Sequence, residues 1–335
     1  MIKITKVLPQ AGVEGGKIKV ECTSFPVADY DKVQLRIGGV PAHLSVITSK
    51  FLVAEIPPNT PSGPVTIAFQ GSESNGTHFE VGRRLATDLH AVGNPALDID
   101  GNILVTFSGS RGQKVPVTVF KLDAEGNLQP FISDIINPTG IARDAEGNIF
   151  ISSRHDGNVY KATRKGEVTI FTQGLGTATG LAFDKEGNLY VGDRNGTIFK
   201  VDRSGVARSF ATIPASVAAF HMAFGPDGNL YVTNPTLSTR DSVFRITPDG
   251  RVTTFFTGLN RPQGLAFDEN GNLFVVAYLG GDGGVVKITL DGRASLAIAG
   301  ANLVGLAFDN QGNLILTSHN SVYKLALGIK GLPLI

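Results

Sequence analysis

The chain has 335 residues, enough for two domains of unequal size, and its 30 Lys and Arg nearly balance its 29 Asp and Glu. That balance supplies no whole-chain field for nucleic acid or an anionic membrane surface. With 41 Gly, 17 Pro and only 18% charged residues, the composition fits a turn-rich all-β protein rather than a helical or disordered one. The single cysteine, Cys22, excludes an intramolecular disulfide framework and a cysteine-rich metal site. It alternates with Ile18 and Val20 in KIKVEC, so it is expected to face inward from a strand as a small apolar group. No run of eighteen apolar residues marks a membrane-spanning helix. The first ten residues, MIKITKVLPQ, lack the apolar core and cleavage site of a signal peptide. The expectation is a cytoplasmic protein, or a secreted or periplasmic one if a signal has been removed.

Residues 1–81 alternate apolar and polar positions in short runs: KIKVEC, VQLRIGG, HLSVIT, FLVAEIP, VTIAF and THFEV. Each run has the period of two that marks a half-buried strand, and each is bounded by Gly, Pro, Asn or Ser. The density of strands predicts an immunoglobulin-like β-sandwich without its disulfide. VLPQAGVEGGKIKV, the turn Gly38-Gly39-Val40-Pro41-Ala42 and the entry Ser62-Gly63-Pro64-Val65 resemble the IPT/TIG domain family along its length. The resemblance implies a spacer or interaction module. His43 and His78 are expected on the solvated surface.

From residue 82 to 335 one motif recurs six times: LDIDGNIL, RDAEGNIF, FDKEGNLY, GPDGNLYV, FDENGNLF and FDNQGNLI. Its glycines, Gly101, Gly147, Gly187, Gly228, Gly271 and Gly312, are 46, 40, 41, 43 and 41 residues apart. That period predicts the blades of a six-bladed β-propeller. Each motif reads as a hairpin, with the acidic residue opening the turn and glycine accepting a positive φ. A second turn follows about twenty residues later (Gly126, Gly166, Gly205, Gly250 and Gly292), giving four strands per repeat. The sixth repeat is one strand short. Either the GLPLI tail or residues 82–88 must close the ring, and the latter is expected because a strand from each end leaves no exposed edge.

The repeats resemble the NHL family over residues 90–325. More remotely they are similar to the senescence-marker/gluconolactonase propellers and the virginiamycin B lyase propellers. Members of such families scaffold proteins, bind RNA or host enzyme sites, so the fold alone assigns no activity.

Propeller sites sit where loops converge on the central axis. The residues ahead of the recurring glycine of each innermost strand are Gly93, Thr139, Thr179, Phe220, Gln263 and Val304. In the calcium-dependent lactonases that the chain resembles, acidic and amide side chains at these loops hold the metal. Here Gly93 stands where Glu would, and Thr139, Thr179 and Gln263 fill the P-x-G slots, so no cofactor is expected; a divalent ion such as calcium is the alternative. Asn94 and His221 replace the recurring glycine. Asn94 is expected to be structural, as a residue that tolerates the left-handed conformation. His221 is expected to pack beside Phe220 and Met222, the alternative being a general base or metal ligand in a central pocket.

A second ring at the ends of the next strands contains Asp193 and Asn234, with Arg154, Arg194, Tyr278 and His319 beside it. Together with His221, Gln263, Thr139 and Thr179 these residues form the candidate ligand-binding set of the central face. The arginines would anchor a carboxylate, a phosphate or a polar sugar derivative. No nucleophile–histidine–carboxylate order and no metal-ligand spacing stands out. Near-neutral charge and the lack of tryptophan weigh against nucleic acid despite Arg111, Lys114, Arg154, Arg194 and Arg240. The loops RGQKVP, NPTLSTRD and LGGDGG exceed their sister loops in length. The sequence thus predicts a monomeric binding or scaffolding propeller, taking a protein or small-molecule ligand at its central face and avoiding membranes. The alternative is a gluconolactonase-like hydrolase or a virginiamycin B lyase-like enzyme acting on a small ring compound or sugar, with a deep polar pocket around His221.

Overall fold

The computed structural model describes residues 2–23 and 32–332, and its named elements are all strands. None of its segments is a helix long and apolar enough to cross a membrane. Cys22 is buried in the core of the N-terminal strands, and His43 and His78 lie on the exposed surface.

Each repeat is built on a side-chain clasp. In the second repeat Asp144 accepts the backbone N–H of Asn148 at 2.7 Å and its side-chain Nδ2 at 2.8 Å, while Gly147 closes the turn at φ 86°. Asp98–Asn102, Asp184–Asn188, Asp268–Asn272 and Asp309–Asn313 repeat the arrangement. In the fourth repeat Gly225 takes the place of the Asp, and Asp227 holds Asn229 and the Tyr231 hydroxyl instead. A lysine from the third strand completes the clasp: Lys121–Asp98 at 2.9 Å, Lys200–Asp184 at 3.4 Å and Lys324–Asp309 at 3.3 Å. Burial pushes the Asp98 carboxyl up, but hydrogen bonds from Asn102 and Lys121 outweigh it and hold it below the usual carboxylate range.

Five separate four-stranded antiparallel sheets form the β-propeller arrangement. Four are simple meanders, starting at Ala96–Leu97, Pro138–Arg143, Ala178–Phe183 and His221–Phe224. The fifth joins Leu303–Phe308, Asn313–Ser318 and Val322–Ala326 to Arg83–Ala86, which pairs antiparallel with Val322–Ala326. The closing strand therefore comes from residues 83–86, while Gly331 of the tail makes one bridge to Asp268 and residues 333–335 lie outside the described set.

The sequence predicts six blades, and five stand as separate sheets; the expected immunoglobulin-like sandwich does not stand apart either. The strands of the fifth repeat, Leu265–Phe267, Leu273–Leu279, Asp282–Ile288 and Ala294–Ala299, belong to a 13-stranded sheet that also contains the N-terminal strands. The physical link is Ala11–Gly12. It runs parallel to Glu80–Val81 on one side and pairs with Ala299 on the other, so the two regions share one hydrogen-bond ladder. Ala299 packs in the same core as Ile18, Val20, Leu52 and Phe79. Glu14 reinforces the join by accepting from Arg84 at 2.7 Å and from the Tyr323 hydroxyl at 2.9 Å.

Between neighbouring sheets the side chains interdigitate; Tyr190 meets Phe224 of the following repeat edge-on at 5.1 Å between ring centroids. At the narrow end of the barrel the innermost strands approach so closely that side chains do not fit. A Cβ on Gly140 would lie 2.2 Å from the Thr179 carbonyl oxygen, on Gly180 2.6 Å from that of Phe220, and on Gly305 2.4 Å from that of Gly93. None of these three glycines has a positive φ; crowding alone demands them. Hydroxyls bolt repeat to repeat across the same gap. Ser152 donates to the Thr179 carbonyl, Thr233 to that of Gln263 at 2.8 Å and Thr317 to that of Gly93 at 3.2 Å. Asn94 is also not in the left-handed region. It earns its place by donating to the Leu265 carbonyl and accepting from the Leu306 N–H, both at 3.1 Å.

Two glycine substitutions separate these causes. Gly140→Ala should cost several kcal/mol in urea unfolding, because only backbone movement relieves the contact. Gly101→Ala, where φ is 85° and the space is open, should cost only about 1 kcal/mol. Equal costs would contradict the crowding account.

Candidate functional site

The ends of the innermost strands nearest the inter-repeat loops form the predicted central face. His221 sits there on the first residue of its strand, opposite Thr233. It is 5% exposed, and a Cβ on Gly93, in the first repeat, would lie 3.6 Å from its Cε1. The imidazole therefore reaches across the axis and blocks the narrow end of the channel. Among the described residues no group hydrogen-bonds its ring, and burial pushes its pKa down to about 4. Under the enzyme alternative a deep polar pocket is expected around His221; it lines neither the cavity of about 610 Å³ nor the cavity of about 210 Å³ in this barrel. The histidine is a buried neutral plug that faces Gly93, while its neighbours Phe220 and Met222 belong to an apolar cluster between repeats.

Several other candidates are engaged in local bonding. Thr179 Oγ1 donates to the Gly192 carbonyl at 2.9 Å and accepts the Phe220 N–H at 3.2 Å. Thr139 is buried and donates to the Asn137 carbonyl at 3.3 Å. Asp193 pairs with neither arginine: its carboxylate accepts the N–H groups of Thr177 at 2.8 Å and Asn195 at 3.2 Å. Asn234 donates to the Pro214 carbonyl at 2.8 Å, and its buried Oδ1 has no partner.

Arg154 and Arg194 do come together, and they bring Arg111 from the long loop of the first repeat. Arg154 donates to the Ser108 hydroxyl at 3.3 Å. Burial first, then the like charges of Arg194 and Arg111, hold its guanidinium below its ordinary value. None of the three has a carboxylate partner among the described residues. The loop that carries Arg111 is fastened by Asn137, a fully buried residue that the sequence pattern does not single out. Its Oδ1 accepts the Gly112 N–H at 2.7 Å, and its Nδ2 donates to the Gly109 and Ser110 carbonyls, both at 2.9 Å. Its own carbonyl accepts the Arg154 N–H at 3.2 Å. Asn137 thus fastens the loops of Arg111 and Arg154, through its side chain and its backbone carbonyl respectively.

Gln263, Tyr278 and His319 form a third grouping. With Arg261 and Asn302 they line a cavity of about 210 Å³ between the fifth and sixth repeats. Tyr278 packs over Gly283 of the LGGDGG hairpin, which extends a strand pair rather than forming an open loop. The ten candidates therefore occupy separate places: a plug, a set of buried bolts, an arginine rim and a small pocket.

Calcium takes six to eight oxygen donors, several of them carboxylates. Among the described residues no three His, Cys, Asp or Glu side chains stand together as a ligand group, and Asp193 is already committed to backbone amides. This donor set does not suit such an ion.

The His221 plug has a pH signature. Its folded pKa lies at about 4 against an ordinary value of 6.5, so between those values the unfolded chain binds more protons. Stability is then full above about pH 6.5 and declines as the pH falls toward 4, by a contribution on the order of 3 kcal/mol. Melting temperature followed across that range should drop further in the native chain than in His221→Phe. Parallel curves would mean that the imidazole is solvated.

No family model matches the chain, and no curated protein matches it. Solved structures do. A candidate gluconolactonase aligns with a TM-score of 0.60 at 18% identity, covering 75% of this chain and 93% of its own. A streptogramin B lyase aligns at 0.54 and 15% identity over 97% of both chains. An auxiliary nutrient binding protein from Bacteroides ovatus aligns at 0.51 and 13% identity, again over 97% of both. At these identities the likeness establishes a shared β-propeller fold, remotely similar to gluconolactonase-like and lyase-like propellers, and leaves function to the site.

Proposed function

We propose that the protein is a binding propeller that captures an anionic ligand, a carboxylate or phosphate compound, on the loop-side rim formed by Arg111, Arg154 and Arg194. The carrying observation is the convergence of three guanidinium groups with no carboxylate partner among the described residues. Arg154 is half-buried and destabilised by its neighbours, an arrangement that an incoming anion relieves by charge-assisted, bidentate hydrogen bonds. The lack of any hydrogen-bonded orienting group on His221 favours binding over turnover. The nutrient-binding neighbour is in keeping with such a role. Within this reading the meander of residues 265–299 counts as a sixth blade of an NHL-like propeller over residues 82–335. Residues 1–81 act as an IPT/TIG-type, immunoglobulin-like module, held rigidly by the Ala11–Gly12 ladder rather than swinging as a free spacer. The protein works as a monomer, without a metal, on a soluble partner or small molecule.

One observation favours a second reading. His319 is exposed beside Tyr278, Gln263 and Arg261 at the 210 Å³ cavity, a set that could exchange protons with a small bound substrate. A hydrolase or lyase reading belongs there and not at His221.

Isothermal titration with citrate and a sugar phosphate at low salt tests the binding reading. Arg154→Gln combined with Arg194→Gln should weaken binding at least tenfold, and added salt should weaken native binding as exposed charges are screened. Retained affinity in the double variant would sink the proposal, whereas turnover of a lactone lost in His319→Ala would favour the second reading.

A further inference from the structure

A cavity of about 610 Å³ lies at the opposite end of the barrel from the arginine rim. Its walls are the hairpin-side ends of the innermost strands of all six repeats. Leu97, Ile141, Leu181, Phe224, Phe267 and Phe308 represent one repeat each. Leu332 of the C-terminal segment closes part of it, held by its N–H on the Phe267 carbonyl at 2.9 Å. His221 precedes Met222, which also lines the cavity, so the plug at the narrow end gives the channel a blind inner end. The volume falls within the range of small-molecule sites.

Among the described residues, two cations of this cavity, Arg143 and Lys185, have no acidic partner, and Arg143 is the one with a buried, unpaired donor. Arg143 lines the cavity, reaches only the Asp144 carbonyl at 3.4 Å through Nη1, and has a buried Nε without any hydrogen-bond partner. The other charges nearby are largely settled: Lys200 lies 3.4 Å from Asp184 and 3.9 Å from Glu186, leaving Arg143 and the rim residue Lys185 as surplus positive charge. A buried guanidinium N–H without an acceptor is costly in a native structure and calls for an explanation.

We infer that this cavity is a second binding site, distinct from the arginine rim, for an apolar molecule bearing a single anionic group, with the tail in the channel and the anion on Arg143. A fully polar sugar would leave the aromatic and aliphatic wall unpaired with apolar surface, and a neutral hydrocarbon would leave Arg143 as it is. An apolar carboxylate or sulfonate satisfies both.

The test is fluorescence titration of the full chain with 1-anilinonaphthalene-8-sulfonate, followed by displacement with decanoate and with decanol. The native protein should bind the probe saturably at one site. Arg143→Gln should weaken the probe and decanoate at least tenfold and leave decanol unchanged. Ala266→Phe, which puts a ring into the channel, should abolish probe binding while the unfolding transition stays cooperative. Arg154→Gln with Arg194→Gln should leave it untouched, which separates this site from the rim. Probe binding that survives Ala266→Phe, or equal affinity in Arg143→Gln, overturns the inference.

Discussion

The close approach of the innermost strands at one end of the barrel governs the rest of this structure. Where Gly140, Gly180 and Gly305 face the carbonyl oxygens of the following repeat, there is no room for a Cβ. Hydroxyls of Ser152, Thr233 and Thr317 turn the same proximity into hydrogen bonds. Thr317 reaches back to Gly93 across 224 positions of sequence, so the last repeat is locked to the first by this bond and by the strand at 83–86. Closing the ring through both ends gives the last repeat the same four strands as its sisters.

The two departures from glycine at this ring decide where ligands can go. Asn94 spends its amide on Leu265 and Leu306 and leaves the ring intact. His221 instead projects over the axis toward Gly93. By sealing the narrow end it splits one channel into two environments. The loop side keeps a shallow rim whose chemistry is set by arginines. The hairpin side keeps a larger, mainly apolar cavity lined by leucines and phenylalanines, with charged residues among its lining and one arginine whose Nε is unpaired. If the two proposed sites bind ligands, a blocked barrel suits capture at each end better than passage through the axis.

Much of this was legible in the sequence. The forty-residue period, the Asp–Gly–Asn turn and the second glycine turn each follow from short-range physics, and the clasps of Asp144 on Asn148 and its counterparts bear them out. The closing strand could be inferred because an exposed edge is unfavourable. What could not be read was the reason for the innermost glycines, because inter-repeat distance leaves no mark on local pattern; a left-handed turn and a crowded strand both present as Gly. The ladder from Ala11–Gly12 to Ala299 was hidden for the same reason, being a two-residue strand paired across nearly the whole chain. The site was legible only in part. Alignment placed Asp193 and Asn234 at one mouth, but their side chains turn toward the adjoining loops and bond Thr177, Asn195 and Pro214. Arg154 and Arg194 survived because long side chains escape such local bonding, and Arg143 escaped notice because it sits inside a strand pattern that reads as structural.

The most direct test of the central claim, that unpaired arginines make the loop side an anion site, is a crystal soaked in sodium bromide with anomalous diffraction recorded at the bromine edge. Bromide bound between Arg154 and Arg194, with Arg111 closing over it, is the result expected. Arginines found in ion pairs with the protein's own carboxylates, and no bromide on that rim, would contradict the account.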